Sequence, residues 1–306
     1  MNDKPTVSIV MCTYNGAMFL DQQLQSLVTQ TYPVQEILVF DDASIDGTPS
    51  IVKKFQQQYG NIQLTINPKN IGFNKNFEQA LKAAGGDVIA ICDQDDYWVE
   101  TKIEKMVMSW KPGCPLIYCG ALSFVTELPK QCNLHPLYRQ FEGTDARKIF
   151  LRNTVSGHAL MIRKEFLSLV LPFNNTVMYD WMMAVTAAYN GGVHFYPEVL
   201  VFQREHRNNA TLQSGKNLTE PEQKRAFKLQ AIAHLHAFTA VPGIPKEHKV
   251  FAQNLEKLLN ESIRHTYYYP LFAFLIKHRT ILYNYKKRKF GFVSHIKHSF
   301  KFTRNE

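Results

Sequence analysis

The stretch that decides the fold is Ile89-Ala90-Ile91-Cys92-Asp93-Gln94-Asp95-Asp96-Tyr97-Trp98, an apolar run that ends abruptly in three carboxylates. A short, continuous apolar run is typical of a strand that is buried on both faces. Three acids within four residues repel one another, and such a cluster at the end of a buried strand usually persists because a cation binds there. We therefore interpret residues 93–96 as part of an active site.

Strands and helices alternate on either side of this stretch. Leucines at helical spacing follow the first strand, and Thr48-Pro49 is typical of a helix start, with an N-cap and a proline at the first helical position. This alternation predicts an α/β fold with a doubly wound, mostly parallel sheet and helices on both faces. The predicted strands are Val7 to Cys12, Glu36 to Phe40, Ile62 to Ile66 and Asp87 to Cys92.

Polar residues follow three of these strands. In a sheet of this class, ligands bind beyond the carboxyl ends of the strands, so these side chains are expected to meet in one crevice. Each residue taken alone is explained equally well as an ordinary polar turn or cap. The residues are Thr13, Tyr14 and Asn15 after the first strand, Asp41 and Asp42 after the second, and Asp93, Asp95 and Asp96 after the fourth.

Two common phosphate-binding motifs are missing from the sequence. There is no GxGxxG after the first strand and no GxxxxGK[ST] anywhere, which argues against a dinucleotide fingerprint and a P-loop. A bound phosphate must then be neutralised in another way. Mg²⁺ or Mn²⁺ held by the acids of residues 93–96 would do so, because these ions combine carboxylates with the oxygens of a substrate phosphate.

The composition indicates a globular protein with an asymmetric charge. The chain has 306 residues, of which 45% are hydrophobic, and a net charge of +9. From residue 215 onward there are 17 lysines and arginines against 6 acids, so the positive charge belongs to the tail. The five cysteines form no CxxC pair, and neither a secretory signal nor a membrane span of about 18 apolar residues is evident, which favours a cytoplasmic location.

The amino-acid composition of the chain changes near Gln213. We predict a catalytic domain over residues 1–213 and a helical, basic region over residues 214–306, with helices at Glu222 to Ala237, Lys246 to Tyr267 and Leu271 to Lys289. Basic residues beside aromatic ones in residues 270–306 favour binding to an anionic membrane surface. Packing on the catalytic domain or homodimerisation is the alternative. Nucleic-acid binding is not expected, because no recognised module accompanies the basic tail.

The motifs together resemble the catalytic domain of glycosyltransferase family 2, which has the GT-A fold. The resemblance covers about residues 5 to 210 and includes the run Val7 to Asn15, Asp41 to Thr48, Asn70-Ile71-Gly72 and Cys92 to Asp96. It implies inverting transfer of a sugar from a nucleotide diphosphate donor, assisted by Mn²⁺ or Mg²⁺. Arg204-Glu205-His206 is similar to a segment of rhamnosyltransferase-like members.

The resemblance also implies roles for individual residues on the donor side. Tyr14 would lie against the nucleobase, Asp42 would hydrogen-bond it, and Asp95 would face the ribose. Asp96, with Asp95 and His206, would ligate the metal, and Asp93 would either support these acids or join the metal shell. The residues predicted to bind the nucleotide sugar are Cys12, Thr13, Tyr14, Asn15, Asp42, Asn74, Asp93, Asp95 and Arg204.

A second set of residues is predicted on the acceptor side. Gly157 and His158 resemble the small-residue loop that precedes the acceptor pocket, although a histidine on an edge strand explains the pattern equally well. Asp180 stands where the family has its general base, and its simpler explanation is a helix N-cap. Trp181 is predicted to stack on a sugar ring or to pack in the core.

These features predict an enzyme that moves a sugar from a UDP- or dTDP-sugar to a hydroxyl of a glycan or lipid-linked glycan. Bacterial cell-surface polysaccharide synthesis is the expected setting, at the inner face of the plasma membrane. Two alternatives stay open. A sugar nucleotidyltransferase also places acids beyond strands, and a non-catalytic module could bind a nucleotide sugar.

Overall fold

The structure is a computed structural model, and it describes residues 4–129, 133–134, 138–206, 219–287 and 291–304. One sheet of eight strands forms its centre. The strands are β1 (Val7–Thr13), β2 (Glu36–Asp41), β3 (Ile62–Ile66), β4 (Val88–Cys92), β5 (Tyr97–Trp98), β6 (Leu116–Phe124), β7 (Leu160–Arg163) and β8 (Val193–Arg204).

Helices cover both faces of the sheet. Those of the first part are α1 (Ala17–Val28), α2 (Thr48–Gln58), α3 (Phe73–Ala83), α4 (Lys102–Ser109), α5 (Leu167–Val170) and α6 (Tyr179–Tyr189). Those of the tail are α7 (Glu220–Phe238), α8 (Lys246–Ser262), α9 (Tyr269–Lys277), α10 (Arg279–Leu282) and α11 (Gly291–Thr303). The predicted α/β class with a mostly parallel sheet is confirmed.

The strand order places three strand ends side by side. The order is β3-β2-β1-β4-β7-β6-β8-β5, and β1 runs parallel to both β2 and β4. Thr13 is level with Asp41, and Met11 is level with Cys92. Because parallel strands end at the same edge of a sheet, the turns after β1, β2 and β4 meet there.

The antiparallel strands complete the same edge. β7 pairs with β4, so the turn that precedes β7 lies beside the acids that follow β4. β5 pairs with the end of β8, with Tyr97 opposite Phe202. This pairing brings the residues after β8 close to Asp95 and Asp96.

Both faces of the sheet are buried. Alternate residues point to opposite sides, so Val10 packs with the cluster under α3 and α6, whereas Ile9 packs with the cluster under α1 and α2. Both side chains are fully buried. Each such side chain stabilises the fold by about 1.5–3 kcal/mol, which makes the sheet a rigid support for the turns at its edge.

The first two tail helices share the core of the catalytic part. Phe150 stacks on Phe238 of α7 with ring centroids 5.5 Å apart and contacts Phe251 of α8 at 6.3 Å. Leu255 and Leu259 are fully buried in the same cluster, so α8 has an apolar face that packs on the catalytic part. The predicted boundary at residues 213 and 214 lies outside the described residues.

The third predicted tail helix, Leu271 to Lys289, is wrong. α9 ends at Lys277, α10 covers only Arg279–Leu282, and α11 was not predicted. Tyr283 and Tyr285 are both buried. Residues two apart cannot face the same side of one helix, so the chain leaves the helical path to bury both rings. The second tail helix also ends earlier than predicted, at Ser262 rather than Tyr267.

The sequence showed neither a membrane span nor a CxxC pair, and the structure bears on both points. In the described ranges, every helix is too short or too polar to cross a membrane. Four of the five cysteines are described, and all four are free thiols; Cys132 lies outside the described residues.

Candidate active site

Two carboxylates and one imidazole converge at the carboxyl end of β4. The Nδ1 atom of His158 lies 3.3 Å from Oδ2 of Asp96 and 3.5 Å from Oδ2 of Asp93. One ligand-type atom from each of the three residues lies within 4.8 Å of the others. His158 reaches this place because its 3-10 turn, Gly157–Ala159, leads directly into β7, the neighbour of β4.

Polar atoms of this trio are buried without a partner. Among the described residues, nothing hydrogen-bonds to Oδ2 of Asp96 or to Nε2 of His158. Burial raises the pKa of Asp96 to about 7, and the neighbouring acids add to the effect. Burial lowers the pKa of His158, but the carboxylates of Asp96 and Asp93 outweigh it and raise that pKa to about 9.

The trio fits a divalent cation. Two carboxylate oxygens and an imidazole nitrogen are ligand types that Mn²⁺ accepts, and carboxylates alone suit Mg²⁺. The side chain of Asp93 is 40% exposed while that of Asp96 is 1% exposed, so one side of the trio faces the crevice. The imidazole of His158 compensates the buried charge of Asp96 only while it is protonated, and a divalent cation that displaces this proton would compensate both carboxylates.

Lys102 contacts His158 of the trio, and it was not predicted from the sequence. Its ammonium group donates to the carbonyl oxygen of His158 over 3.3 Å and lies 3.0 Å from the centre of the Trp98 ring. Burial lowers its pKa to about 8, although the nearby acids and thiols oppose the shift. The signal was a lone lysine on the apolar face of α4, beside Ile103 and Met106.

Asp95 and His206 form a pair of their own. The Nε2 atom of His206 lies 2.7 Å from Oδ2 of Asp95, and its ring packs on Phe19 with centroids 4.7 Å apart. The sequence predicted Asp95, Asp96 and His206 as the metal ligands. The structure instead brings Asp96 together with Asp93 and His158, a residue predicted on the acceptor side.

Arg204 is built into the wall of the site. Its guanidinium packs on the rings of Phe19 and Phe124 and donates to Gln22 and to the carbonyl oxygen of Asp95, the latter over 3.3 Å. Its backbone N–H donates to Asp96. The buried side chain thus holds the acid loop in place, whereas the sequence predicted a contact with the donor.

The turn after β1 is tied to the acid loop by Gln94. The amide of Gln94 accepts from the backbone N–H of Tyr14 over 2.9 Å and donates to the carbonyl oxygen of Tyr14 over 3.2 Å. A Cβ atom at Gly16 would lie 2.1 Å from the Gln94 side chain, so a larger residue there would displace the Gln94 amide. The ring of Tyr14 is 48% exposed and free to meet a planar ligand.

The other residues predicted on the donor side differ in whether their polar atoms already have hydrogen-bond partners. Thr13 is buried and donates to Asp41, and the backbone N–H of Asn15 donates to Ser44. Oδ1 of Asn74, at the start of α3, is buried without a hydrogen-bond partner in the described chain. Burial raises the pKa of the Cys12 thiol, with Asp93 and Asp42 adding to the shift, so this thiol stays protonated.

The acids after β2 are saturated with donors. Oδ1 of Asp42 accepts from Asn67 and from the N–H of Ile71, both at 2.9 Å, and Oδ2 accepts from the N–H of Gly72 at 2.9 Å. Asp41 accepts from Thr13 and from the side chain and backbone N–H of Ser44. Asp42 is buried and orders the loop that leads to α3, whereas the sequence predicted a hydrogen bond to a nucleobase.

Asp180 faces the trio from the first turn of α6. It accepts from the backbone N–H of Trp181 over 2.6 Å, and His158 and Asp93 are close enough to influence its titration. Burial raises its pKa to about 6. A Cβ atom at Gly157 would lie 3.2 Å from Cβ of Asp180 and 2.4 Å from the Tyr179 hydroxyl, so glycine permits this approach.

Trp181 points away from Asp180 toward the tail. Its ring N–H donates to the carbonyl oxygen of Ile149 over 2.7 Å, and its ring packs on His234 and Phe238 of α7. One face of the half-buried ring is therefore used for packing between α6 and α7.

The site thus combines a cation-type trio, an exposed aromatic ring and a carboxylate with a raised pKa in one crevice. These groups lie in the turns after β1 and β4, in the turn before β7 and at the start of α6. Such a crevice can hold a phosphorylated ligand at the trio while Asp180 accepts a proton from a second ligand.

Comparison with known proteins supports this geometry. The model of the family described as "Glycosyl transferase family 2" matches residues 8–170, which is more than half of the chain. A Bacillus subtilis protein with a provisional name as a teichuronic acid biosynthesis glycosyltransferase is 31% identical over 120 residues, which cover 39% of this chain and 48% of that protein. The chain spans 59% of the length of the mycobacterial proteins that it matches over 207 residues.

Two solved structures have a similar fold. Staphylococcus aureus TarS, residues 1–349, in complex with UDP-GlcNAc, has a TM-score of 0.63 at 16% identity, with 97% of this chain and 90% of that chain covered. The mannosyltransferase PcManGT from Pyrobaculum calidifontis, in complex with GDP-Man and Mn²⁺, has a TM-score of 0.59 at 17% identity, with 91% and 76% covered. At these identities the likeness concerns the fold.

Proposed function

The chain belongs to glycosyl transferase family 2, and from this premise we propose that it is an inverting, metal-dependent glycosyltransferase. It would move a sugar from a UDP- or dTDP-sugar to a hydroxyl of a glycan acceptor. The observation that carries the proposal is the trio of Asp93, Asp96 and His158, with Asp180 close enough for His158 and Asp93 to influence its titration. The nucleotide sugars bound by TarS and PcManGT support a donor of this class.

On the donor side, Asp93, Asp96 and His158 would hold Mn²⁺ or Mg²⁺, and the exposed ring of Tyr14 would stack on the nucleobase. When bound, the cation would offset the negative charge of the departing diphosphate. Asp95 and His206 are a second place for the diphosphate or the cation, because their paired side chains lie beside the same loop. The free Oδ1 of Asn74 could accept from a ribose hydroxyl.

On the acceptor side, Asp180 would act as general base. With a pKa of about 6, its carboxylate is mostly ionised at neutral pH and still basic enough to accept a proton. The acceptor oxygen would attack the anomeric carbon as Asp180 takes its proton, while the bond to the diphosphate breaks and its electron pair leaves with the diphosphate. Attack from the side opposite the leaving group inverts the anomeric configuration.

The first experiment replaces the base. Asp180→Asn should lower turnover by about 10²- to 10⁴-fold because the amide cannot accept the proton, while Mn²⁺-dependent affinity for UDP, GDP or dTDP in a thermal-shift screen stays as in the wild type. Glu165→Gln, at an exposed acid, is the matched control. Near-normal turnover of Asp180→Asn would exclude it as the base.

The same screen separates this proposal from its alternatives. Donor hydrolysis in the presence of Mn²⁺ and a sugar nucleotide is expected from a glycosyltransferase. A nucleotidyltransferase would instead release pyrophosphate from a sugar 1-phosphate and a nucleoside triphosphate. A chain that shifts its unfolding temperature with a nucleotide sugar but neither hydrolyses nor transfers it would be a binding module.

For the setting, we propose cell-surface polysaccharide synthesis at an anionic membrane surface. The name of the Bacillus subtilis relative supports the first part. Helix α11 supports binding to an anionic membrane surface. Phe292, Val293 and Ile296 are exposed together on one side of this helix, beside the basic Lys297. Basic side chains near an anionic surface contribute about 1 kcal/mol each.

Vesicle sedimentation tests the membrane proposal. The full chain should bind vesicles that contain phosphatidylglycerol, and Phe292→Ser together with Lys297→Glu should weaken that binding by about tenfold. Met108→Ser removes an exposed apolar side chain from the catalytic part and serves as the control. Equal sedimentation of both variants, or dimerisation blocked by the α11 change alone, would contradict the proposal.

A further inference from the structure

Lys102 is a fully buried lysine on the apolar face of α4, beside Ile103 and Met106. Moving an ammonium group out of water costs several kcal/mol unless a charged or polar partner compensates it. Among the described residues, this ammonium makes one hydrogen bond and one contact with an aromatic ring, and it forms no ion pair. An apolar side chain of similar length would fill the same space at lower cost. The packing of α4 therefore does not explain why a lysine stands here.

The ammonium group of Lys102 is directed at the turn that carries His158. It donates to the carbonyl oxygen of His158 over 3.3 Å and lies 3.0 Å from the centre of the Trp98 ring. Burial lowers its pKa, whereas two nearby thiols and the carboxylates of Asp96 and Asp93 oppose the shift. Lys102 thus contacts one member of the cation-type trio and lies near the other two.

The His158 ring lacks the hydrogen bond that usually orients a histidine ligand. A metal-binding histidine typically donates its second ring N–H to a carboxylate, a backbone carbonyl or water. In the described chain, Nε2 of His158 is buried and has no such partner. The position of the other nitrogen, Nδ1, therefore depends on how firmly the backbone of the Gly157–Ala159 turn is held.

Two of the described side chains donate to the backbone of this turn. Lys102 donates to the carbonyl oxygen of His158 itself, and the thiol of Cys119 donates to that of Ala159 over 3.5 Å. A charged ammonium is a stronger donor than a thiol, whose S–H is a weak one. Of the two, Lys102 is the firmer attachment, and it acts on the residue whose ring enters the site.

We propose that Lys102 is a positioning residue for the cation site. Its ammonium group holds the carbonyl oxygen of His158, and this keeps Nδ1 of the ring 3.3 Å from Oδ2 of Asp96, where the two atoms can share a divalent cation. This inference rests on the proposed function. It adds a residue outside the ligand set that determines how tightly the cation binds.

Removal of Lys102 has two effects of opposite sign on cation binding. Loss of a positive charge near the site would strengthen the binding of Mn²⁺, because like charges repel. Loss of the bond to His158 would weaken it, since losing the outer partner of a ligand typically costs about 10- to 100-fold in metal affinity. The positioning role predicts that the second effect is the larger.

Lys102→Met tests this prediction on the full chain, because methionine keeps most of the length of the side chain but cannot donate a hydrogen bond. The affinity for Mn²⁺ in the presence of UDP, measured by the electron paramagnetic resonance of free Mn²⁺, should fall by about tenfold. Lys105→Met is the matched control on the same helix, where the lysine pairs with Glu198 at the surface. Its Mn²⁺ affinity should equal that of the wild type. Lys102→Leu replaces Lys102→Met if the latter does not fold.

A double variant separates the positioning role from a general loss of structure. If Lys102 acts through His158, then Lys102→Met combined with His158→Ala should bind Mn²⁺ as weakly as His158→Ala alone. Additive losses would overturn the proposal, and so would an Mn²⁺ affinity of Lys102→Met that is equal to or higher than that of the wild type. Absence of Mn²⁺ binding in the wild type would instead count against the proposed function.

Discussion

The acids that follow β2 and the acids that follow β4 lie at the same edge of the sheet, yet their surroundings are opposite. Asp42 accepts three hydrogen bonds of 2.9 Å from Asn67, Ile71 and Gly72. Asp96 accepts one bond of 3.3 Å from the N–H of Arg204 on one oxygen, and its other oxygen is buried without a hydrogen bond in the described chain, 3.3 Å from Nδ1 of His158. Both side chains are almost fully buried.

This contrast separates two uses of the same residue type. A carboxylate surrounded by N–H donors is stabilised as part of the fold, and it orders the loop that supplies those donors. A carboxylate that is buried beside other acids lowers the stability of the ligand-free chain and gains when a cation binds. We infer that the β2 acids maintain the shape of the site, while the β4 acids bind its ligand.

The largest expected effect is on metal binding. Asp96→Asn should weaken the Mn²⁺-dependent affinity for UDP by about 100-fold, because a ligand of the cation is lost. The unfolding temperature of the metal-free chain should change little, because losing a buried carboxylate beside two other acids offsets the loss of its contact with the His158 imidazole. Calorimetry with and without Mn²⁺ measures both effects. A lower unfolding temperature together with unchanged Mn²⁺ dependence would break the contrast between the two acid groups.

A pH profile tests Asp180, the acid that we propose as the general base. Its pKa is raised by burial to about 6, so the basic form is present above pH 6 and is lost as pH falls through that value. Transfer at subsaturating acceptor should therefore fall by about tenfold for each pH unit below 6. Asp180→Asn should lose this limb of the profile, and a wild-type rate independent of pH between 5 and 7 would argue against Asp180 as the base.

A smaller effect, of opposite kind, is expected at the β2 acids. Asp42→Asn replaces one carboxylate oxygen with an N–H₂ group, which then faces either the N–H of Gly72 or the donors of Asn67 and Ile71, so the free energy of unfolding should fall by about 1–3 kcal/mol. Asp21→Asn, at an exposed acid on α1, is the control and should change stability little. Denaturant titration measures the change. If stability is unchanged while UDP affinity falls, then Asp42 contacts the nucleobase, as the sequence predicted.

The smallest expected effect is at Gln94, which connects the turn after β1 with the acid loop after β4. Gln94→Ala removes both hydrogen bonds to the backbone of Tyr14, which should cost about 1 kcal/mol of stability. UDP affinity should weaken by a few-fold, since the Tyr14 ring is then held less firmly. Gln25→Ala on the exposed side of α1 is the matched control. Unaltered UDP affinity would show that the β1 turn holds its shape without the acid loop.

Much of the catalytic fold was predictable from local pattern. Four apolar runs matched β1 to β4 to within one or two residues, because a strand buried on both faces leaves a continuous apolar signal. The tail was predicted less well. The aromatic run that contains Tyr283 and Tyr285 looks helical in composition, but each ring is buried by contacts from distant parts of the chain, such as Tyr138 and Ser299.

The sequence indicated which residues belong to the candidate site more clearly than which of them lie together. Asp93, Asp96, His158 and Asp180 were all selected from the sequence, and the structure places them in one crevice. Their division into metal, donor and acceptor sets was less accessible, since a histidine 62 residues beyond Asp96 in the chain gives no local sign of its neighbour. Lys102 was missed because its partners, His158 and Trp98, are brought together only by folding.

The sequence by itself determined the positions of β1 to β4, and that acids would follow β2 and β4, because apolar periodicity and turn residues are local properties. Only the tertiary structure decided which acids are free for a ligand. The donors to Asp42 come from residues 67–72, whereas the neighbours of Asp96 are other acids and the imidazole of His158. Hydrogen-bond saturation depends on which segments meet in space, and no local pattern encodes it.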